Sequence, residues 1–393
     1  MSAAGRTTVL RCALALALCT TAFTTAAADT GALDTSTRGR VETATSRWTA
    51  AGDAIVTDAV IRTADGRQIV VTTPGGTIDG IGMSFSHTDV PLAADDDVLL
   101  VAKSRGFRAL RVGAARVTES GSPGAVAPRV GVQRTSRSLK PLFHPSGCLE
   151  FVYDGDGTSK LSAEWDAVDA AFTSWEGASE MSCGALRFSR RVMAHAPDGR
   201  DSTNTIHFRD DKWCRPSTLT ESEICHSEDA VAVTRMIFVD DPASPRDGEI
   251  LEVDIEVNTV NFTLATDGRA TAIDLTSAMA HEIGHALGLD HNCGIETGAW
   301  PVGIDGTPVE SCESATADLA AATMYFQVAP GTVTMRTPEP VDTEGLCSVV
   351  TAECAVQVSG GCSTGGGGSN AAPLLFACLF AGLLARRKRR SAP

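Results

Sequence analysis

The chain is poor in basic charge, has no long apolar run, and carries no cysteine over 40–117. Lys and Arg number 33 against 48 Asp and Glu, for a formal net charge of -15. Seven of those basic residues (Arg6, Arg11, Arg386, Arg387, Lys388, Arg389, Arg390) stand in the two ends, so the body between them is more acidic still. Such a body repels phosphate, which argues against nucleic acid and an anionic membrane as its partners. The apolar run 371–385 has fifteen residues, short of the roughly 20 that a spanning helix needs. Leu18, and not a small residue, precedes Cys19, which argues against a lipoprotein anchor. The length of 393 residues excludes a mini-protein and leaves room for two ordinary domains, each with its own core.

The start of the chain reads as an export signal. Arg6 and Arg11 precede an apolar stretch that ends in Ala26, Ala27 and Ala28, the pattern of a secretory signal peptide over 1–28, cut before Asp29. A secreted or cell-surface protein follows, with signal peptidase as a processing partner. Of twelve cysteines, eight lie between Cys148 and Cys354. An even set in an exported chain reads as disulfides. Nearness in sequence pairs Cys148 with Cys183, Cys214 with Cys225, Cys293 with Cys312 and Cys347 with Cys354.

Across 40–117 short alternating runs such as "AIVTDAVIR" and "DVLLVAKS" are separated by Gly, Pro and Asp, which predicts a small all-β domain. The Ser-, Gly- and Pro-rich stretch 118–138 is expected to be a linker. A second domain, 139–355, holds the eight interior cysteines. Within it Leu161, Trp165, Val168, Phe172 and Trp175 recur at helical spacing and predict an amphipathic helix. "NTIHFRDD" and "AVTRMIFVDD" read as buried strands. "EILEVDIEVNTVNF" alternates Glu252, Asp254 and Glu256 against Leu251, Val253, Ile255 and Val257, as a strand near a sheet edge does. A Gly-rich spacer, 356–370, leads to the apolar segment with its basic end, 371–393.

The chemistry is concentrated in "AMAHEIGHALGLDH". His281 and His285 stand four apart, so on a helix both project from one side and grip one ion. Leu275, Met279, Ile283 and Leu287 form a stripe about 200° away, which faces the core and leaves the ligand side to a cleft. Asp274 is placed to cap this helix. Gly288 tolerates the angles that end it and turn the chain back, bringing His291 in as a third nitrogen. Three neutral imidazoles leave a tetrahedral zinc one position for water, the mark of a catalytic site. Glu282, beside a ligand but not among the three, is the general base for that water.

These residues match HExxHxxGxxH, the motif of the metzincin zinc proteases, and "DLTSAMAHEIGHALGLDH" looks most like the matrixin branch. The resemblance implies an α+β fold in which a metzincin-like catalytic domain follows the small all-β domain. That domain would be a twisted mixed sheet with an active-site helix and a backing helix. The strand at Glu252–Val257 would then be the antiparallel edge that holds an extended substrate, and Met324 in "AATMYF" the methionine turn under the zinc. Asn292 stands where matrixins commonly have serine. The latency peptide PRCGxPD is absent; "MSCGAL" at Cys183 is the nearest stretch, and disulfide pairing is the plainer role for that cysteine. His195, His207 and His226 show no ligand spacing. Calcium is compatible with acidic pairs such as Asp240 and Asp241 but is not assignable, and solvated loop charge explains them as well. Gly361, Cys362 and Ser363, the apolar stretch and the arginine cluster resemble a MYXO-CTERM tail, whose role is surface sorting with removal of the tail; a plain C-terminal membrane anchor is the alternative. The resemblance implies a sorting peptidase as partner and a transient membrane contact.

The sequence therefore points to an exported zinc metalloendopeptidase. One catalytic zinc would sit on His281, His285 and His291, Glu282 would be the base, and protein or peptide would be the substrate. Two rivals differ in class: a surface binding protein with a structural zinc unit, and a zinc hydrolase of small amides or cell-wall peptides.

Overall fold

Strands that alternate apolar and polar residues must pair their backbone groups with neighbours, and which neighbours they find decides the architecture. The computed structural model describes residues 36–86, 91–103, 106–111, 129–184, 186–215, 224–295 and 300–354. The chain divides into two compact units, 1–354 and 355–393, and the described residues all belong to the first. The expected signal peptide, spacer and sorting tail lie outside the described residues, as do 112–128.

The described part of the expected linker and N-terminal domain is α-helix-free: β1 (Ser36–Trp48), β2 (Ile55–Thr63), β3 (Gln68–Pro74), β4 (Gly76–Ile78), β5 (Ile81–Phe85), β6 (Asp97–Lys103) and β7 (Gly106–Arg111). Five of them form an antiparallel sheet in the order β3-β2-β1-β6-β7. Val41, Ile61, Val71, Val98 and Leu100 make its core. β8 (Cys148–Asp154), β9 (Arg187–Met193), β10 (Thr205–Arg209), β13 (Ala232–Val239) and β14 (Ile250–Asn258) build a second sheet. Its order is β4-β5-β13-β14-β10-β8-β9. β9, β8, β10 and β14 run parallel, whereas β13 is antiparallel to β14 and β5 antiparallel to β13. Two-residue ladders join β11 (Cys214–Arg215) to β12 (Ile224–Cys225), β15 (Leu264–Ala265) to β16 (Ile273–Asp274) and β17 (Cys293–Gly294) to β18 (Glu310–Ser311). The helices are α1 (Glu164–Ser182), α2 (Leu275–Ala286), α3 (Ala317–Ala321) and α4 (Pro340–Val349), so the fold is α+β. No helix among the described residues is long and apolar enough to cross a membrane.

Two expectations about organisation change. β4 and β5 come from the stretch expected to be a separate domain, yet they extend the second sheet, while the other five strands of that stretch keep a sheet and core of their own. Residues 129–138 are not free linker: Val130 and Val132 are buried in the main core, and Val132 bridges Leu289. Alternation identifies a strand but not its partner.

The strand expected at the edge is internal. β14 lies between β13 and β10, and β13 is the antiparallel strand. The acidic face of β14 is buried, with Glu252, Asp254 and Glu256 each 2–3% exposed. Buried carboxylates need compensating partners, and Arg235 and Arg209 supply them. Arg235, 1% exposed, reaches Glu252 at 3.0 Å and also bonds Asp254. Arg209 reaches Glu256 at 2.7 Å.

On the other face α1 packs its predicted stripe against the sheet and α2, with Val168, Phe172 and Trp175 at 0% exposure. Each such side chain contributes about 1.5–3 kcal/mol of apolar burial. Leu161 precedes the helix and packs at its rim. Four disulfides are present. Cys214–Cys225 and Cys293–Cys312 pair as nearness suggests, but Cys148 joins Cys354 and Cys183 joins Cys347. The latter two tie β8 and the end of α1 to the C-terminal helix region, because α4 packs on α1 and brings distant sequence close. Cys183 is thereby held in a disulfide.

Removing Arg235 strands two buried carboxylates. Arg235→Ala should lower unfolding stability by about 3–5 kcal/mol in urea titration, while Arg40→Ala, at an exposed pair with Asp95, should barely move the midpoint. Equal small effects would contradict the burial argument.

Candidate metal centre

α2 begins where Asp274 accepts the N–H of Ser277 at 2.9 Å, an N-cap that Arg336 reinforces by pairing with the same carboxylate. Leu275, Met279, Ile283 and Leu287 are all at 0% exposure. The helix ends in a Schellman turn: Leu289 N donates to Gly284 O at 3.0 Å and Gly288 N to His285 O at 2.9 Å. Gly288 sits there with φ 101, a conformation that side chains with a Cβ resist. The returning chain is held by 129–135, where Asp290 N donates to Gly131 O and Gly131 N to His291 O.

The structure brings His281, His285 and His291 together, with one ligand atom of each within 4.8 Å of the others. His281 Nδ1 lies 2.7 Å from Thr323 O and His285 Nδ1 2.9 Å from Leu289 O. A carbonyl only accepts, so both Nδ1 atoms carry the proton and both Nε2 atoms present lone pairs. Those two Nε2 atoms are 3.0 Å apart. Facing lone pairs repel unless a cation lies among them, and backbone carbonyls orienting the far nitrogens are the usual support of ligating imidazoles. The donor set fits zinc: neutral nitrogens in tetrahedral array with Zn–N near 2.0–2.1 Å.

Glu282 is held by hydroxyl groups of β13 and of the residue that follows β5. Its Oε2 accepts from Thr234 Oγ1 at 2.6 Å and from Ser86 Oγ at 3.0 Å. The ligand side, expected to face an open cleft, is covered: His281, Glu282 and His285 are 1–2% exposed. His291 is the partly exposed member.

Met324 lies under α2, fully buried. A Cβ on Gly284 would fall 2.2 Å from Met324 Sδ and 3.0 Å from Trp175 Cζ2, so the helix and the methionine meet only because residue 284 lacks a side chain. Met324 O accepts the N–H of Asn292 at 3.0 Å, and Asn292 Nδ2 donates to Leu319 O. Two carboxyl groups on the far side hold the turn: Thr323 N donates to Glu339 Oε2 at 2.9 Å and Asp342 Oδ2 at 3.1 Å. Thr323 O in turn orients His281, so this pair acts on a candidate ligand through one peptide unit. Burial and the neighbouring Asp342 push the Glu339 pKa up to about 7, and burial likewise raises that of Asp342.

The three other histidines weighed as ligands lie elsewhere, and His144 is buried against the end of α2, its Nε2 2.8 Å from Ala286 O. His207 is buried between Asp154 and Pro197 O, His226 is buried beside Glu256 and Trp213, and His195 is exposed near Asp156. Asp154, Asp156 and His195 offer ligand atoms within 4.8 Å, but Asp154 is already engaged by His207 and Ala196 N. Asp240 is not solvated loop charge: it is buried and accepts from Thr77, Ser136 and Arg137. Sequence reading missed Ser86, Thr234, Glu339 and Asp342. Each acts across the fold from the motif, and no local spacing links them to it.

Residues 174–296, which include α2 and the three histidines, match the family model described as Matrixin, Peptidase_M10. That match supports a metzincin-type metalloprotease. No curated protein matches the chain. Among solved structures the chain is similar to metalloproteinase-II from Bacteroides fragilis, at 12% identity and a TM-score of 0.26, over 78% of this chain and 86% of that one. A likeness that slight locates no residue.

Gly284→Ala should cost about 1–3 kcal/mol by overpacking and weaken zinc retention in dialysis, as Met324 and α2 are pushed apart; unchanged retention and melting would contradict the close approach. Glu339, with a folded pKa above its ordinary 4.5, contributes stability that is complete below 4.5 and lost as pH rises through about 7. Glu339→Gln, neutral throughout, should melt higher than the native chain at pH 8 and not at pH 4.5; no gain at pH 8 would show that its ionisation carries no such cost.

Proposed function

We propose that the chain is an exported zinc-dependent endopeptidase. The observation that carries this reading is the convergence of His281, His285 and His291, two of them locked as Nδ1–H tautomers, with Glu282 next in sequence to one of them. Zinc bound there supplies Lewis acidity, polarising the scissile carbonyl and making water a better nucleophile. The protein's own groups do the rest. Glu282 takes the proton of the attacking water and passes it to the leaving amine. Thr234, by donating to Glu282 Oε2 from β13, fixes the carboxylate beside the strand. β13, antiparallel to β14, is the strand whose other edge an extended peptide would pair with once β5, which occupies that edge here, is displaced. His281 and His285 are buried, and His291, the partly exposed member, is the side from which water reaches the site.

A binding protein with a purely structural zinc has no use for a carboxylate at 282, which favours the enzyme. The leader at 1–28 supports export, and the paired cysteines suit an oxidising compartment.

Glu282→Gln should retain the zinc content of the native protein and lose hydrolysis of an unfolded protein substrate, by about 2–4 orders of magnitude for a general base. Activity at the native level with zinc still bound would overturn the role given to Glu282.

A further inference from the structure

The antiparallel edge that a substrate needs is already occupied. β5 pairs with β13 from Phe85 opposite Arg235 to Ile81 opposite Val239. Ser86 extends the ladder, its N–H donating to Thr234 O at 2.8 Å. Its hydroxyl accepts the N–H of Thr234 at 2.7 Å and donates to Glu282 Oε2 at 3.0 Å. One side chain therefore joins the strand edge to the carboxylate. The strand is fixed from behind: Met83 packs with Ala54, Ile55 and Ile237, and Arg235 Nη1 donates to Asp53 O at 3.0 Å. Gly82 lies flat on Phe238, where a Cβ would come 2.3 Å from the ring.

An extended peptide requires free main-chain groups on the edge strand, and proton transfer requires that water reach the base. Resting on the endopeptidase reading of this site, we propose that residues 81–86 are its built-in inhibitor. β5 fills the substrate's place on β13, Ser86 holds Glu282, and the intact chain is latent. The covalent tether makes the inhibition strong, because a linked segment competes at an effective concentration in the millimolar range that free peptide rarely matches. Severing the link between β5 and the catalytic residues turns that advantage into ordinary bimolecular binding, which dilution reverses.

The test uses the full exported chain in three forms: native, Gly82→Leu, and one with a recognition sequence for a specific processing protease placed in 118–128 and cut there. Two quantities are read, hydrogen exchange of the 232–239 amides and digestion of denatured casein. The native chain should protect those amides and digest slowly. Gly82→Leu, whose side chain cannot sit on Phe238, and the cut, diluted chain should expose them and digest on the order of a hundredfold faster, the scale of advantage that tethering confers. Amides that open without any rise in an already measurable activity would overturn latency and leave the protease intact. Amides that stay protected in both altered forms would make β5 a permanent strand and overturn the proposal. Amides that open while no form digests any protein would instead remove the endopeptidase reading, and this inference with it.

Discussion

Two hydrogen bonds from imidazole to backbone, His281 to Thr323 O and His285 to Leu289 O, aim the site. They fix the tautomers, turn both Nε2 atoms toward each other, and make a cation the natural occupant of the space between. Each depends on a different part of the fold. The first needs the turn at Thr323 and Met324, held by Glu339 and Asp342 on α4's first turn and its approach. The second needs the Schellman turn at Gly288, which brings the carbonyl of Leu289 back over the helix end. Trp175 and Met324, in the main core, pack against α2 at Gly284, between the two histidines that these carbonyls orient.

The opposite face of the sheet solves a different problem. Three acidic residues of β14 are buried there, and arginines on β10 and β13 neutralise them from within the protein. The same β13 carries Thr234 to Glu282 on one side and Arg235 to the acidic row on the other, as alternation along a strand dictates. The N-terminal segment touches both faces of that strand's surroundings: Ser86, just past β5, at the carboxylate, and the carbonyl of Asp53, between β1 and β2, at the arginine. Its docking is thus coupled to the site and to the charge network by a single strand.

How much of this was legible in the sequence follows from range. α2, its cap at Asp274 and the turn at Gly288 were legible, because helix period and turn chemistry act within a few residues, and the motif lies in one such stretch. α1 was legible for the same reason. The position of β14 was not: a buried acidic face reads as a solvated one until its arginines, which stand 19 and 47 residues away, are placed opposite. The disulfides divide similarly. Pairs closed by short loops, separations 11 and 19, followed from nearness, whereas those spanning 164 and 206 residues depend on α4 packing against α1. Ser86, 196 residues from Glu282, left no local sign at all.

The central claim is that three imidazole nitrogens bind one zinc ion. X-ray absorption at the zinc edge of the purified full chain tests it most directly. The account predicts a first shell dominated by imidazole nitrogen, three rings with Zn–N of about 2.0–2.1 Å, and loss of that signal in His285→Ala. A shell of sulfur at about 2.3 Å, or a protein that takes up no zinc while fully folded, would contradict it.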